Sequence, residues 1–333
     1  MTRAGTWLAR AWRAWVTFWD RREPPTALAL VRILVALVLL GDYLYVWNAG
    51  LIDPLWSTLP DGFALGHHGW AEALGIDAFG LWALATGALV LVLFGIATPL
   101  ACVAFAVISA QQSMIAPYAE SAVDVLMRIV FVVLALSRCN ARWSVDAWVM
   151  RRLGRPMAAL VPAWPRHLLL LQVVWMYFSA GQNKSSHVWD PIGGFTALAN
   201  AMLDPHNGRL APGFVGAIYP LTRVATALTI VFELSALLYL LWLYYAATAD
   251  RPGRLRRFAN RFRLRWIWFA LYLAFEVGIA VGLKLGSFPY GMLALFPVLL
   301  LPDEVERLVS WLARRGAQRL NTPAPANRAS SPS

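Results

Sequence analysis

Runs of apolar residues recur along this chain with short polar breaks between them. They fall at roughly 27–47, 79–96, 98–116, 122–138, 167–183, 222–246, 266–284 and 288–302. An α-helix needs about 20 apolar residues to cross a bilayer, with a usual range of about 17–25. Each run therefore predicts a transmembrane helix, several of them near the short limit. FGIAT at 94–98, followed by Pro99, predicts a tight hairpin between the second and third. The fold expected is an all-α, polytopic membrane helical bundle of about eight transmembrane helices. The first run has no small-residue cleavage site and reads as a retained span. Ahead of it, Leu8, Trp12, Trp15 and Trp19 recur at helical spacing with arginines between them. That pattern makes residues 1–25 an amphipathic interfacial segment, residues 26–310 the membrane domain, and residues 311–333 a disordered tail by composition.

The polar breaks orient the bundle. Arginines are concentrated in four segments: five in the N-terminal segment, six in 138–166, seven in 246–265 and five in the tail. Eight crossings put all four on one side, which the positive-inside rule makes the cytoplasm, with both termini there. The opposite loops carry Asp53, Asp61, Glu72, Asp77 and Glu120. A net charge of +11 in a chain that is 59% hydrophobic and 14% charged is thus a topology signal, and nucleic acid is not expected as a partner. Mean hydropathy of +0.56 agrees with a multi-pass protein in a lipid bilayer, and a bacterial inner membrane is the location expected. Cys102 and Cys139 lie in a span and at a basic inner end, so neither a disulfide nor a zinc framework follows.

Of the basic residues, Lys184, Arg209, Arg223 and Lys284 fall outside, and Arg32 and Arg128 fall within spans. The chain has 27 arginines and two lysines, and both lysines end helices on the outer side. Such a lysine either snorkels as an anchor or serves as a base, since a lysine can lose its proton and an arginine cannot.

Ionisable groups inside spans mark functional candidates. Asp124 and Arg128 share a helical face at i, i+4 and are expected to neutralise each other. Glu233 and Glu276 have no partner on their own helices. They are expected to line a pocket or to pair across helices with Arg32, Arg128 or a lysine. Lys284 follows Glu276 on nearly the same face, and Tyr177, Gly181 and Lys184 line one face of the fifth run. Asp42, Gln111 and Gln112 add polar atoms toward the outer side. His67, His68, His187 and His206 lack regular ligand spacing, so no metal is expected. No nucleophile elbow, Walker loop, Rossmann glycine pattern or Cys-x-x-Cys is present.

At YFSAGQNKSSHVWDPIGG, through Tyr177, Phe178, Ala180, Gly181, Lys184, Trp189 and Gly193, the chain resembles the vitamin K-dependent gamma-carboxylase-like family. The membrane region of that family is also called the HTTM (horizontally transferred transmembrane) domain. Arg32, the stretch DVLMRIVFVVLALSRCNARWSVDA and the ending LGSFPYGMLALFPVLLLP extend the likeness over most of residues 26–310.

The resemblance implies that Lys184 is a base toward a reduced vitamin K-type quinol, menaquinol in a bacterium, in chemistry linked to quinol epoxidation. Trp175, Tyr177 and Trp189 would line the quinone slot, with Glu233, Glu276, Arg128 and Lys284 as pocket or orienting groups. Two departures stand out: Asn183 replaces the first of the carboxylases' paired lysines, and their large lumenal substrate-recruiting domain has no counterpart here. Carboxylation of protein glutamate is therefore not expected. Two alternatives stay open. One is a non-enzymatic accessory factor for maturation or export of a secreted peptide, as in sporulation-delaying systems. The other is a structural bundle.

Overall fold

Helix forms at all eight apolar runs. The computed structural model describes residues 19–59, 61–65 and 69–320, together with 9, 12, 13, 16 and 17. Leu8, Trp15, His67, His68 and the segment 321–333 lie outside the described residues, whereas Trp12 and Trp19 are helical.

The long helices are α1 (Thr26–Asn48), α2 (Ala78–Phe94), α3 (Thr98–Ile115), α4 (Ala122–Leu136), α5 (Trp164–Gln182), α6 (Tyr219–Leu234), α7 (Ala236–Ala247) and α8 (Leu264–Gly282). They are followed by α9 (Phe288–Ala294), α10 (Phe296–Leu299) and α11 (Pro302–Leu320). Among the described residues, α1, α3 and α8 are each long and apolar enough to cross a membrane, and α6 with α7 makes a fourth if that bent pair is one span. The only sheet among the described residues is the two-residue pairing of Arg22–Glu23 with Val161–Pro162.

Two of the expected helices are broken. The run 222–246 bends by 62° between α6 and α7. At the break, Ser235 donates its hydroxyl to the Phe232 carbonyl at 3.0 Å, a back-bond that competes with the helical ladder. The run 288–302 was expected as one span and is two short helices. Pro297 sits in the first turn of α10; its missing N–H and its ring, which crowds the carbonyl four residues back, end the preceding turn.

Helix α1 buries Leu28, Val31, Val35, Leu39 and Tyr43, a face recurring every three or four residues. It packs against α2, α4, α9, α10 and α11. The 94–98 hairpin forms as expected, and the Asp146 carboxylate closes it by accepting from Ala97 N (2.8 Å), Thr98 N (3.0 Å) and Thr98 Oγ1 (2.9 Å).

The expected Asp124–Arg128 pair does not form. Asp124 instead accepts from Ser121 N at 2.7 Å and Ser121 Oγ at 2.8 Å, capping α4, while Arg128 pairs with Glu120 and donates to Ser113 Oγ at 2.6 Å. The end of a helix offers unpaired backbone N–H groups, and Ser-x-x-Asp meets them as a capping box. That local geometry outweighs the i, i+4 attraction.

At the arginine-rich end, several arginines are built into the fold. Arg32 is fully buried and donates to the carbonyls of Val92 (2.5 Å), Leu93 (2.8 Å) and Trp143 (2.5 Å). It thereby satisfies the C-terminal carbonyls of α2, which have no partners within the helix. Arg166 pairs with Glu23 at 2.7 Å with both side chains buried, Arg265 pairs with Glu304, and Arg142 pairs with Glu306 at 2.6 Å.

Candidate functional site

Lys184 lies at the opposite end of α5 from Arg166. Helix runs from Arg166 to Gln182, about 24 Å of rise, a large part of the hydrocarbon thickness of a bilayer at about 30 Å. The helix ends at Gln182 with Asn183 as its C-cap, and Lys184 turns back over its last turn, with Nζ 3.4 Å from the Ala180 carbonyl. Nζ also meets the Glu233 carboxylate of α6, 2.7 Å from one oxygen and 2.6 Å from the other. The Glu233 side chain is 2% exposed and that of Lys184 17%.

The rest of the motif builds the surroundings of that pair. Gly181 allows α5 and α6 to touch: a Cβ there would lie 2.9 Å from Glu233 Cβ and 3.2 Å from the Leu234 backbone nitrogen. After Lys184 the chain forms a single tight turn, His187–Trp189, and brings the Trp189 ring under Nζ at 4.9 Å, a cation–π distance. Asp190 fastens the turn by accepting from Gly193 N at 3.0 Å and by contacting His187 Nδ1 at 3.0 Å. The His187 hydrogen bond, followed by that of Gly193, holds the exposed Asp190 carboxyl below its ordinary value. Gly193 is required by space, because a Cβ would overlap the His187 carbonyl.

Behind this mouth is a second polar pair. The Tyr177 hydroxyl donates to Glu276 of α8, and both residues are fully buried. The other Glu276 oxygen has no hydrogen-bond partner among the described residues. Aromatic rings enclose Tyr177: Phe232 at 5.0 Å, Tyr272 at 5.8 Å, Phe275 at 6.1 Å and Trp268 at 6.2 Å between centroids. These four were not among the residues singled out from sequence. The signal was present, since Trp268, Tyr272 and Glu276 recur at i, i+4 on α8.

The structure brings Lys184, Glu233 and Trp189 together, with Tyr177 and Glu276 behind them. The expectation that a glutamate would meet a lysine across helices is realised by Glu233 and Lys184. Arg128 is engaged by Glu120 and Ser113 instead. Lys284 is exposed, its nearest hydrogen-bond acceptor being the Pro205 carbonyl at 3.5 Å. Trp175 is 57% exposed and packs on Phe178. His206 is exposed, and its backbone N–H caps Asp204.

A family model described as the HTTM domain matches residues 20–251. The matched stretch contains Arg32, Tyr177, Lys184, Trp189 and Glu233, while Glu276 and Lys284 follow it. No curated protein and no solved structure matches the chain.

Proposed function

From the premise that the chain belongs to the HTTM domain family, we propose that it is a membrane enzyme using Lys184 as a base toward a membrane quinol, menaquinol in a bacterium. One observation carries the reading: among the described residues, the one ion-pair partner of Lys184 Nζ is a buried carboxylate on another helix, 2.6 Å away. A lysine that serves as an anchor extends its ammonium into water. Lys184 folds inward onto Glu233 and Trp189, whereas Lys284 stays exposed.

The donor set fits a hydroquinone. An amine–carboxylate pair suits a phenolic proton, an indole face suits a flat ring, and a buried carboxylate oxygen without a partner, on Glu276, provides a second polar contact. When bound, a reduced quinol would supply the electrons that react with oxygen. The residues of the chain handle protons. The proposed step moves one proton from Lys184 Nζ to the Glu233 carboxylate, 2.6 Å away, and the amine left behind takes a hydroxyl proton from the substrate. Tyr177 holds Glu276 in place, and the surrounding rings exclude water.

The same reading has eight crossings, cytoplasmic termini and a location in a bacterial inner membrane, supported by the four arginine-rich segments. The test uses protein in nanodiscs with reduced menaquinone and oxygen, comparing wild type with Lys184→Arg. Quinone epoxide detected by mass spectrometry from wild type alone supports the base, since arginine keeps the charge and cannot give up its proton. Epoxide from neither folded protein overturns the quinol reading and favours the accessory role, to be pursued by capture of a secreted peptide.

A further inference from the structure

Phe232 and Phe275 wall the Tyr177 cluster, and beyond them lies a groove of about 180 Å³ between α6, α8 and the helix Ala197–Leu203. Leu198, Met202, Leu228, Phe275 and Gly278 contribute to its lining. Its one hydroxyl residue, Thr229, returns that hydroxyl to the Ala225 carbonyl at 2.9 Å. The groove therefore offers no free hydrogen-bonding side chain and suits a hydrocarbon chain. It is flanked by exposed apolar faces, with Val224 and Val231 on α6 and Val277 and Val281 on α8, so it opens sideways toward lipid.

Two cations lie near one end of the groove. The loop after Met202 is tied to the end of α8: Arg209 N bonds the Gly282 carbonyl at 3.1 Å, Lys284 N bonds the Asn207 carbonyl at 2.7 Å, and Arg209 Nε bonds the Leu283 carbonyl at 2.7 Å. These bonds hold Arg209 and Lys284 beside Met202 and Ile279 of the groove. Both cations are exposed, and neither has an ion-pair partner among the described residues. The acid in this loop, Asp204, is turned to its own turn by His206 N at 2.8 Å and Asn207 Nδ2 at 3.2 Å. Basic residues are sparse at this end of the bundle, yet two of them lie on the segments tied together beside this groove.

We infer that this groove holds one acyl chain of an anionic glycerophospholipid, whose phosphate is met by Arg209 and Lys284. Apolar shape takes the chain, and unpaired cations at the headgroup level select the charge. An apolar peptide is a poorer occupant, because the groove has nothing to satisfy its backbone groups. The inference is independent of quinol chemistry and requires only that the helices lie in a bilayer.

Gly278 supplies the decisive variant. A Cβ at this position meets nothing within 4 Å, and Gly278 lines the groove, so Gly278→Leu directs its added carbons into that space. Full-length protein would be extracted from nanodiscs containing equal phosphatidylglycerol and phosphatidylcholine, and retained lipid counted by native mass spectrometry. Wild type is expected to keep one phosphatidylglycerol in preference to phosphatidylcholine. Arg209→Gln and Lys284→Gln should each lower that preference about fivefold, the size of one charge–headgroup contact. Gly278→Leu should lose both lipids, with an unchanged elution volume and melting temperature showing that it is folded. Equal retention of the two lipids by wild type, or full retention by folded Gly278→Leu, overturns the inference.

Discussion

Lys184 and Glu233 stand 49 residues apart in sequence, yet their charged ends are 2.6 Å apart. The pair joins the end of α5 to α6 just before the Ser235 bend. Breaking a buried pair from one side leaves a charge without a partner, which is worse than removing both members. Lys184→Met is therefore expected to destabilise the protein by about 3 kcal/mol, and Lys184→Met combined with Glu233→Leu by less. Thermal melting in detergent tests this. A double variant less stable than Lys184→Met would mean the two groups are not energetically coupled.

Gly181 makes that approach possible. Gly181→Ala places a methyl 2.9 Å from Glu233 Cβ and 3.2 Å from the Leu234 backbone, so α6 must move away. Overpacking of this kind costs about 1–3 kcal/mol, and the shift lengthens the Lys184–Glu233 contact. The expected signs are a lower melting temperature and faster modification of Lys184 by an amine-reactive reagent. Unchanged labelling would show that the helices do not need this contact to hold the lysine.

Arg32 is a structural arginine. Its guanidinium reaches three carbonyls, two at the end of α2 and one at Trp143, and a lysine has a single ammonium for the same task. Arg32→Lys should lose about 2 kcal/mol, the worth of a charge-assisted hydrogen bond plus the buried acceptor left unmet. Melting-temperature measurements on the folded variant decide it; a wild-type value removes the capping role.

Asp146 gives a pH dependence. Burial works against its charge, but the hydrogen bonds from Asn140, Thr98 and Ala97 outweigh it, so its carboxyl is held below the ordinary value of 3.8. A depressed folded value means the stabilisation is complete above that unfolded value and is lost as pH falls through the folded one. Stability should fall below about pH 4, and Asp146→Ala should flatten that part of the profile. An identical acid limb in the variant assigns the loss to other carboxylates.

Helix positions were legible in the sequence because burial in hydrocarbon demands long apolar runs with internally satisfied backbones, and all eight runs became helix. The break inside the last run was also written there, in Pro297, although the length of the run by itself predicts one span. The capping role of Asp124 was present as Ser121-x-x-Asp124, and was masked by the i, i+4 arginine. The bend at Ser235 was not legible, since serine is common in unbent helices.

The amino-acid sequence by itself determined the apolar segments, the arginine-rich end and the lysine motif, all of which depend on local composition and periodicity. Only the tertiary structure decided which groups meet. It gave Lys184 to Glu233 and Trp189, gave Tyr177 to Glu276, and left Lys284 exposed. Partner choice across helices depends on how their faces are rotated and how closely they approach, here through Gly181 against Glu233. Those quantities are fixed by the packing of the whole bundle, and no single segment encodes them.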